Sequence, residues 1–156
     1  MRVILQRLKN KTEKGLLMSN CCSSDNVVNK FPRKQPCPVN GQDYILVPIK
    51  TVLHHIKNSW RANLPEQGYY FCNDPECDVV YFAEDGRVIK TKELHSIVSV
   101  KRNETDDPVC YCFSVKKNDA IKEPEIKQFV IQQTKSGNCS CETSNPSGRC
   151  CLKDFP

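Results

Sequence analysis

Apolar positions along the chain fall into short runs with two different periods. Tyr44-Ile45-Leu46-Val47, closed by Pro48, predicts a brief strand. Gly68 to Cys72 and Val79 to Ala83 are dense in aromatic and β-branched residues, and the stretch between them, Asn73-Asp-Pro-Glu-Cys77-Asp78, is turn-forming. They predict a hairpin whose cysteines lie at its connection. Glu84-Asp85-Gly86-Arg87 supplies a second turn, Val88-Ile89 a third strand, and the alternation from Leu94 to Val100 a further extended segment. Thr51 is placed to cap a short helix through Lys57, with Val52, His55 and Ile56 on one face and His54 pointing elsewhere.

Lys101 to Pro108 is charged and marks a boundary, beyond which the period becomes helical. Asn118-Asp119 caps a helix beginning near Ala120, and Glu123-Pro-Glu125 starts another. That second helix, through Thr134, sets Ile126, Phe129, Val130 and Gln133 on one stripe and ends at Gly137-Asn138. Asn145 to Gly148 is a tight turn. The fold class expected is α+β: residues 1–20 a basic arm, 21–104 a small β-rich module and 105–156 a short helical one.

Composition narrows what such a chain does. With 156 residues of which 38% are hydrophobic, either module buries little apolar surface and needs a staple. Eleven cysteines supply one: Cys21-Cys22, Cys37, Cys72, Cys77, Cys110, Cys112, Cys139, Cys141 and Cys150-Cys151. Thiols grouped this closely converge on a point, as a metal requires, whereas disulfides join separated segments. The apolar stretches of the first eighteen residues, Val3-Ile4-Leu5 and Leu16-Leu17-Met18, are too short for a signal peptide, and no run is long enough for a membrane span. The reading is therefore a cytoplasmic, reduced protein without membrane insertion. The net charge of +5 comes from scattered lysines with no basic stripe interleaved with aromatics, so no nucleic-acid partner is expected. There is no Gly-rich phosphate loop, and His54, His55 and His95 stand in no recognisable triad, so the chain reads as a carrier or chaperone rather than an enzyme. His95 reads as a surface residue, and Trp60, Tyr69 and Tyr70 as packing.

The thiols divide into two sets. Cys110-x-Cys112, followed about thirty residues later by a second pair, suits a helical hairpin that gathers four thiolates, the usual ligands of a 2Fe-2S cluster. Four thiolates suit zinc equally well. Cys37-Pro-Val-Asn40-Gly41 looks like a zinc knuckle lacking its second cysteine, and Cys72 and Cys77 flank a turn. Zinc needs a fourth donor, from Cys21, Cys22, His54 or His55; the cysteine pair preceding Cys37 is preferred, and Cys22 is assigned with Cys37, Cys72 and Cys77.

Six runs carry a resemblance: Cys-Cys-Ser-Ser at 21–24, Cys-Pro-Val-Asn-Gly at 37–41, Tyr-Tyr-Phe-Cys at 69–72, Cys-Asp-Val-Val-Tyr-Phe at 77–82, Val-Cys-Tyr-Cys-Phe at 109–113 and Asn-Pro-Ser-Gly-Arg-Cys-Cys at 145–151. From Cys21 onward the chain resembles the N-terminal domain of the CopZ family of iron-sulfur, zinc-containing copper chaperones. It departs where the family has a cysteine and this chain has Asn40. The resemblance implies a β-rich zinc-binding module followed by a helical 2Fe-2S module similar to bacterioferritin-associated ferredoxin. Carried over by position, the cluster ligands are Cys110, Cys112, Cys141 and Cys151, with Cys139 and Cys150 as buried spares. It further implies one-electron chemistry linked to copper handling, such as reduction of Cu(II). The partners it implies are a copper-transporting ATPase or a copper chaperone domain, and a redox partner. No Met-x-Cys-x-x-Cys copper motif follows Cys151, so copper delivery would rest on Cys21-Cys22 or on a separate partner. The alternative is a structural zinc adaptor with no redox role. Because the resemblance starts beside Met18, that residue is a candidate initiator and the segment before it a solvated arm.

Overall fold

The computed structural model describes residues 30–156. In chain order the elements are β1 (Lys34–Pro36), β2 (Asp43–Val47), α1 (Ile49–His55), β3 (Tyr69–Phe71), β4 (Val79–Ala83), β5 (Val88–Lys90), α2 (Ser99–Arg102), β6 (Pro108–Cys110), β7 (Val115–Lys116), α3 (Lys117–Lys122), α4 (Glu125–Lys135) and α5 (Cys141–Ser144), with short 3-10 turns at Ser59–Arg61, Thr91–Glu93 and Cys151–Asp154. Strands β1 to β5 form one antiparallel sheet in sequence order, and β6 and β7 a separate two-stranded ribbon. This mixed architecture is the α+β class that the two periods predict.

The register Leu46↔Tyr70, Tyr70↔Phe82 and Phe82↔Val88 aligns the central strands. Because side chains alternate across a strand, Tyr69, Tyr81 and Ala83 share one face while Tyr70, Cys72 and Phe82 share the other. On the first face Val52 of α1 and Ile56 just beyond its end pack with Val47, Tyr69, Tyr81, Ala83 and Ile89. On the second, Cys37, Cys72 and Cys77 pack with Tyr44, Tyr70, Val79 and Phe82. Both faces being covered, β4 is buried from end to end. The irregularity between Val79 and Tyr81 is a bulge-like shift of register beside the thiols. A third cluster, of Val109, Ala120, Val130, Cys110, Cys151 and Phe155, holds the ribbon against α3 and α4.

A partly buried seam joins the sheet and α1 to the C-terminal segment. Tyr81 Oη donates to the Pro146 carbonyl at 2.6 Å, Thr51 Oγ1 to the Glu142 carbonyl at 2.5 Å, and Lys50 pairs with Glu142 at 2.6 Å.

Several local expectations are corrected. Thr51 is not a cap: α1 begins at Ile49 after Pro48, and Thr51, fully buried, gives its hydroxyl to α5 instead. Leu94 to Val100 is not a strand; it forms an isolated bridge at Leu94, then turns into α2. Its alternation fails because Ile97 and Val100 face solvent while Val98 is buried. α3 begins at Lys117, ahead of the Asn118-Asp119 cap expected for it. Trp60 is 78% exposed rather than packed, and Phe129 is only half-covered by an edge-to-face contact with Phe113 at 5.5 Å.

Candidate metal centres

Three thiols meet at one end of the large sheet. Cys37 follows β1 and opens a turn closed by Gly41 N–H on the Cys37 carbonyl at 2.8 Å, with Gly41 at φ +71°, a conformation that glycine adopts freely. Cys72 follows β3, and Cys77 precedes β4 after a turn in which its N–H reaches the Asp74 carbonyl. Their sulfurs all lie within 4.8 Å of one another and all three residues are buried. Zinc–sulfur bonds of about 2.3 Å at tetrahedral angles set sulfurs about 3.8 Å apart, so donor type and separation fit one ion. Burial pushes the Cys77 thiol up to about 11, and a bound cation favours the thiolate against that burial.

Asn40, where the resemblance implies a cysteine, turns its amide nitrogen to the site. Nδ2 donates to Tyr44 Oη and Asp74 Oδ2, both at 2.8 Å, and lies 3.8 Å from Cys72 Sγ. It is placed as a donor, not a ligand. The Asn40 hydrogen bond also holds the Asp74 carboxyl below its ordinary range. Lys101 Nζ lies 3.6 Å from Cys72 Sγ on another side.

The second set gathers around the β6–β7 ribbon. Cys110 ends β6, Cys112 lies in the turn that follows, Cys141 is the first residue of α5, and Cys151 opens the last 3-10 turn. Cys112 and Cys141 sulfurs are 3.5 Å apart. Cys110 hydrogen-bonds with Cys112 and Cys151, and Cys141 with the same two, so the four sulfurs form a closed ring. Contacts among the four sulfurs shift the thiols in opposite directions, Cys110 and Cys141 upward and Cys112 and Cys151 downward. The Ser140 N–H adds a hydrogen bond to Cys112 Sγ at 3.3 Å. Cys110, Cys141 and Cys151 are buried and Cys112 half-buried. Four thiolate donors with a backbone N–H on one sulfur suit a cluster or a single ion.

All four cysteines assigned to the second set are brought together, as are Cys37, Cys72 and Cys77. Cys22 lies outside the described residues, as do Cys21 and the rest of the arm. Among the described residues no histidine joins the three-thiol group. His55, the buried last residue of α1, has its Nδ1 at 2.8 Å from Ser96 Oγ, and His54 stacks edge-on against it at 5.0 Å. His95 is exposed, as expected, and its Nε2–H reaches the His54 carbonyl. Cys139 and Cys150 are half-buried, not the buried spares expected. The sequence reading missed Lys101 and Ser140, neither of which carries a motif. It also missed Asp107, a buried carboxylate paired with Arg102 at 3.3 Å inside a stretch that reads as linker.

A family model described as a zinc binding domain of the CopZ type matches residues 34–95, the sheet and the three-thiol site. Across its described fold the chain is similar to the X-ray structure of the Archaeoglobus fulgidus CopZ N-terminal domain, with a TM-score of 0.62 and 34% identity, covering 78% of this chain and 99% of that one. The chain belongs to the family of CopZ N-terminal domains. In sequence it is also 34% identical over 119 residues to the copper chaperone CopZ of Archaeoglobus fulgidus (strain ATCC 49558), covering 74% of this chain. It spans 57% of that relative's length. Among the described residues no helix is long and apolar enough to cross a membrane.

Proposed function

We propose that the chain is a cytoplasmic zinc- and 2Fe-2S-binding protein that carries single electrons in copper handling. What supports this is the separation of its thiols into two sets, each gathered at its own place in a fold similar to a copper chaperone's N-terminal domain. Cys37, Cys72 and Cys77, with Cys22 from the arm, hold zinc, which staples a small sheet. Cys110, Cys112, Cys141 and Cys151 hold the cluster, and Cys139 and Cys150 do not. When bound, a 2Fe-2S cluster supplies a one-electron couple. Val109, Val130 and Phe155 keep water from Cys110 and Cys151, and the Ser140 N–H draws charge from the Cys112 sulfur; both set the potential. Half-exposed Cys112 gives electrons their shortest way in or out. Residues 21–104 and 105–156 are the two modules, and a copper-transporting ATPase or a copper chaperone domain, with a redox partner, are the proteins served.

The closed ring of four sulfurs in contact favours one specific rival, a single zinc on the second set, since one tetrahedral ion draws all four sulfurs together whereas a cluster does so only in pairs. Such a protein would be a structural adaptor. Anaerobically purified chain is expected to be red-brown, to contain iron and zinc, and to lose its visible absorption on Cys141→Ser but not on Cys139→Ser. Colourless, iron-free protein after reconstitution would establish the rival, and bleaching by Cys139→Ser alone would overturn the ligand set.

A further inference from the structure

The ammonium of Lys101 has three hydrogens, and the loop bearing Cys72 and Cys77 takes all of them. Nζ donates to the Asp74 carbonyl at 2.6 Å, to the Cys77 carbonyl at 2.9 Å and toward Cys72 Sγ at 3.6 Å. Lys101 forms no ion pair with a carboxylate among the described residues. Its charge is therefore committed to the turn that carries two of the thiols.

A divalent ion on these three thiolates alone leaves a net negative charge, and Cys37, Cys72 and Cys77 are at most 6% exposed. Burying uncompensated charge is costly, and the least expensive remedy is a fixed cation at hydrogen-bond range of a sulfur. Asn40 does not fill that role, because it is neutral and its Nδ2 reaches Tyr44 and Asp74 at 2.8 Å but Cys72 Sγ only at 3.8 Å. We propose that Lys101 is the positioning residue of the Cys37–Cys72–Cys77 site, its ammonium offsetting thiolate charge at Cys72 while clamping the Asp74 and Cys77 carbonyls that shape the loop. The inference rests on the zinc reading above and adds to it a residue from outside the sheet. Its role is to raise affinity for a divalent ion and to lower the electron-donating power of the Cys72 sulfur.

The test compares the full chain with Lys101→Met, Lys101→Arg and Lys101→Gln, using zinc competition against a chromophoric chelator and the spectrum of the cobalt(II)-loaded protein. Lys101→Met is expected to weaken zinc binding about 10- to 100-fold, the usual effect of losing an outer-shell partner. It should also move the sulfur-to-cobalt charge-transfer band to lower energy. Lys101→Arg, which keeps charge and donors, should recover most of both. If Lys101→Met does not fold, Lys101→Gln, which keeps a donor without the charge, should still show weakened zinc binding and the band shift. Wild-type binding with unchanged affinity and band in Lys101→Met, or in Lys101→Gln where only that variant folds, overturns the inference alone. So does an equal loss in Lys101→Arg. A wild-type chain that takes up neither ion overturns the zinc reading and the inference together.

Discussion

His55 is held neutral by its surroundings. Burial, followed by the neighbouring His54 and His95, lowers its imidazole to about 4 from an ordinary value near 6.5. Between those values the unfolded chain takes up a proton that the folded chain refuses, so stability is lost as the pH falls from 6.5 toward 4. The loss amounts to about 3 kcal/mol at the acid end. NMR titration should show the His55 ring uncharged down to about pH 4; titration near 6.5 would contradict its burial. That Val52, His55 and Ile56 are buried together was readable from spacing alone, because that period is local, although the helix ends at His55 and Ile56 follows it in extended conformation. What His55 packs against was not, since Ser96 and the α5 backbone are distant in sequence. The cysteines were legible by count and grouping, yet their donors Lys101 and Ser140 were not. A common residue type becomes informative only when the fold sets it beside a sulfur.

At the level of elements, the seam between sheet and C-terminal segment turns on one hydroxyl. Tyr81→Phe removes the buried donor to the Pro146 carbonyl and leaves that oxygen unsatisfied, for an expected loss of about 1–3 kcal/mol in urea unfolding with an unchanged m-value. Gly148 sits at φ +67°, and a Cβ there would come within 3.3 Å of Thr51 Oγ1. Gly148→Ala should therefore destabilise the same seam by about 1–2 kcal/mol in the same assay. The hairpin from β3 to β4 and the third strand were legible in the sequence because aromatic and β-branched runs alternate with turn residues. Helix α2 was not. It is four residues long, below the length at which periodicity identifies a helix, and it exists where the chain bends to bring Lys101 onto the thiol loop.

For the whole molecule, metal and fold are linked. On the second sheet face and around the ribbon the apolar clusters include thiols among their buried members, so an ion held by those thiols would complete the core it sits in. Chelation should lower the thermal midpoint markedly and collapse the near-ultraviolet signal of Tyr44, Tyr70 and Phe82, restored on adding zinc; an unchanged melting curve would mean the sheet stands without its ion. Sequence resemblance reached the two-set plan of the molecule, whereas the docking of one set against the other came only from the fold. That docking has a mechanical side. Lys101 grips the three-thiol loop, while Ser99, two residues earlier, donates its N–H to Tyr111 Oη and its own hydroxyl to the Pro108 carbonyl, and Tyr111 stands between Cys110 and Cys112. A single turn of helix thus touches both thiol sets at once, and removing an ion from the three-thiol site is expected to quicken amide exchange around Tyr111.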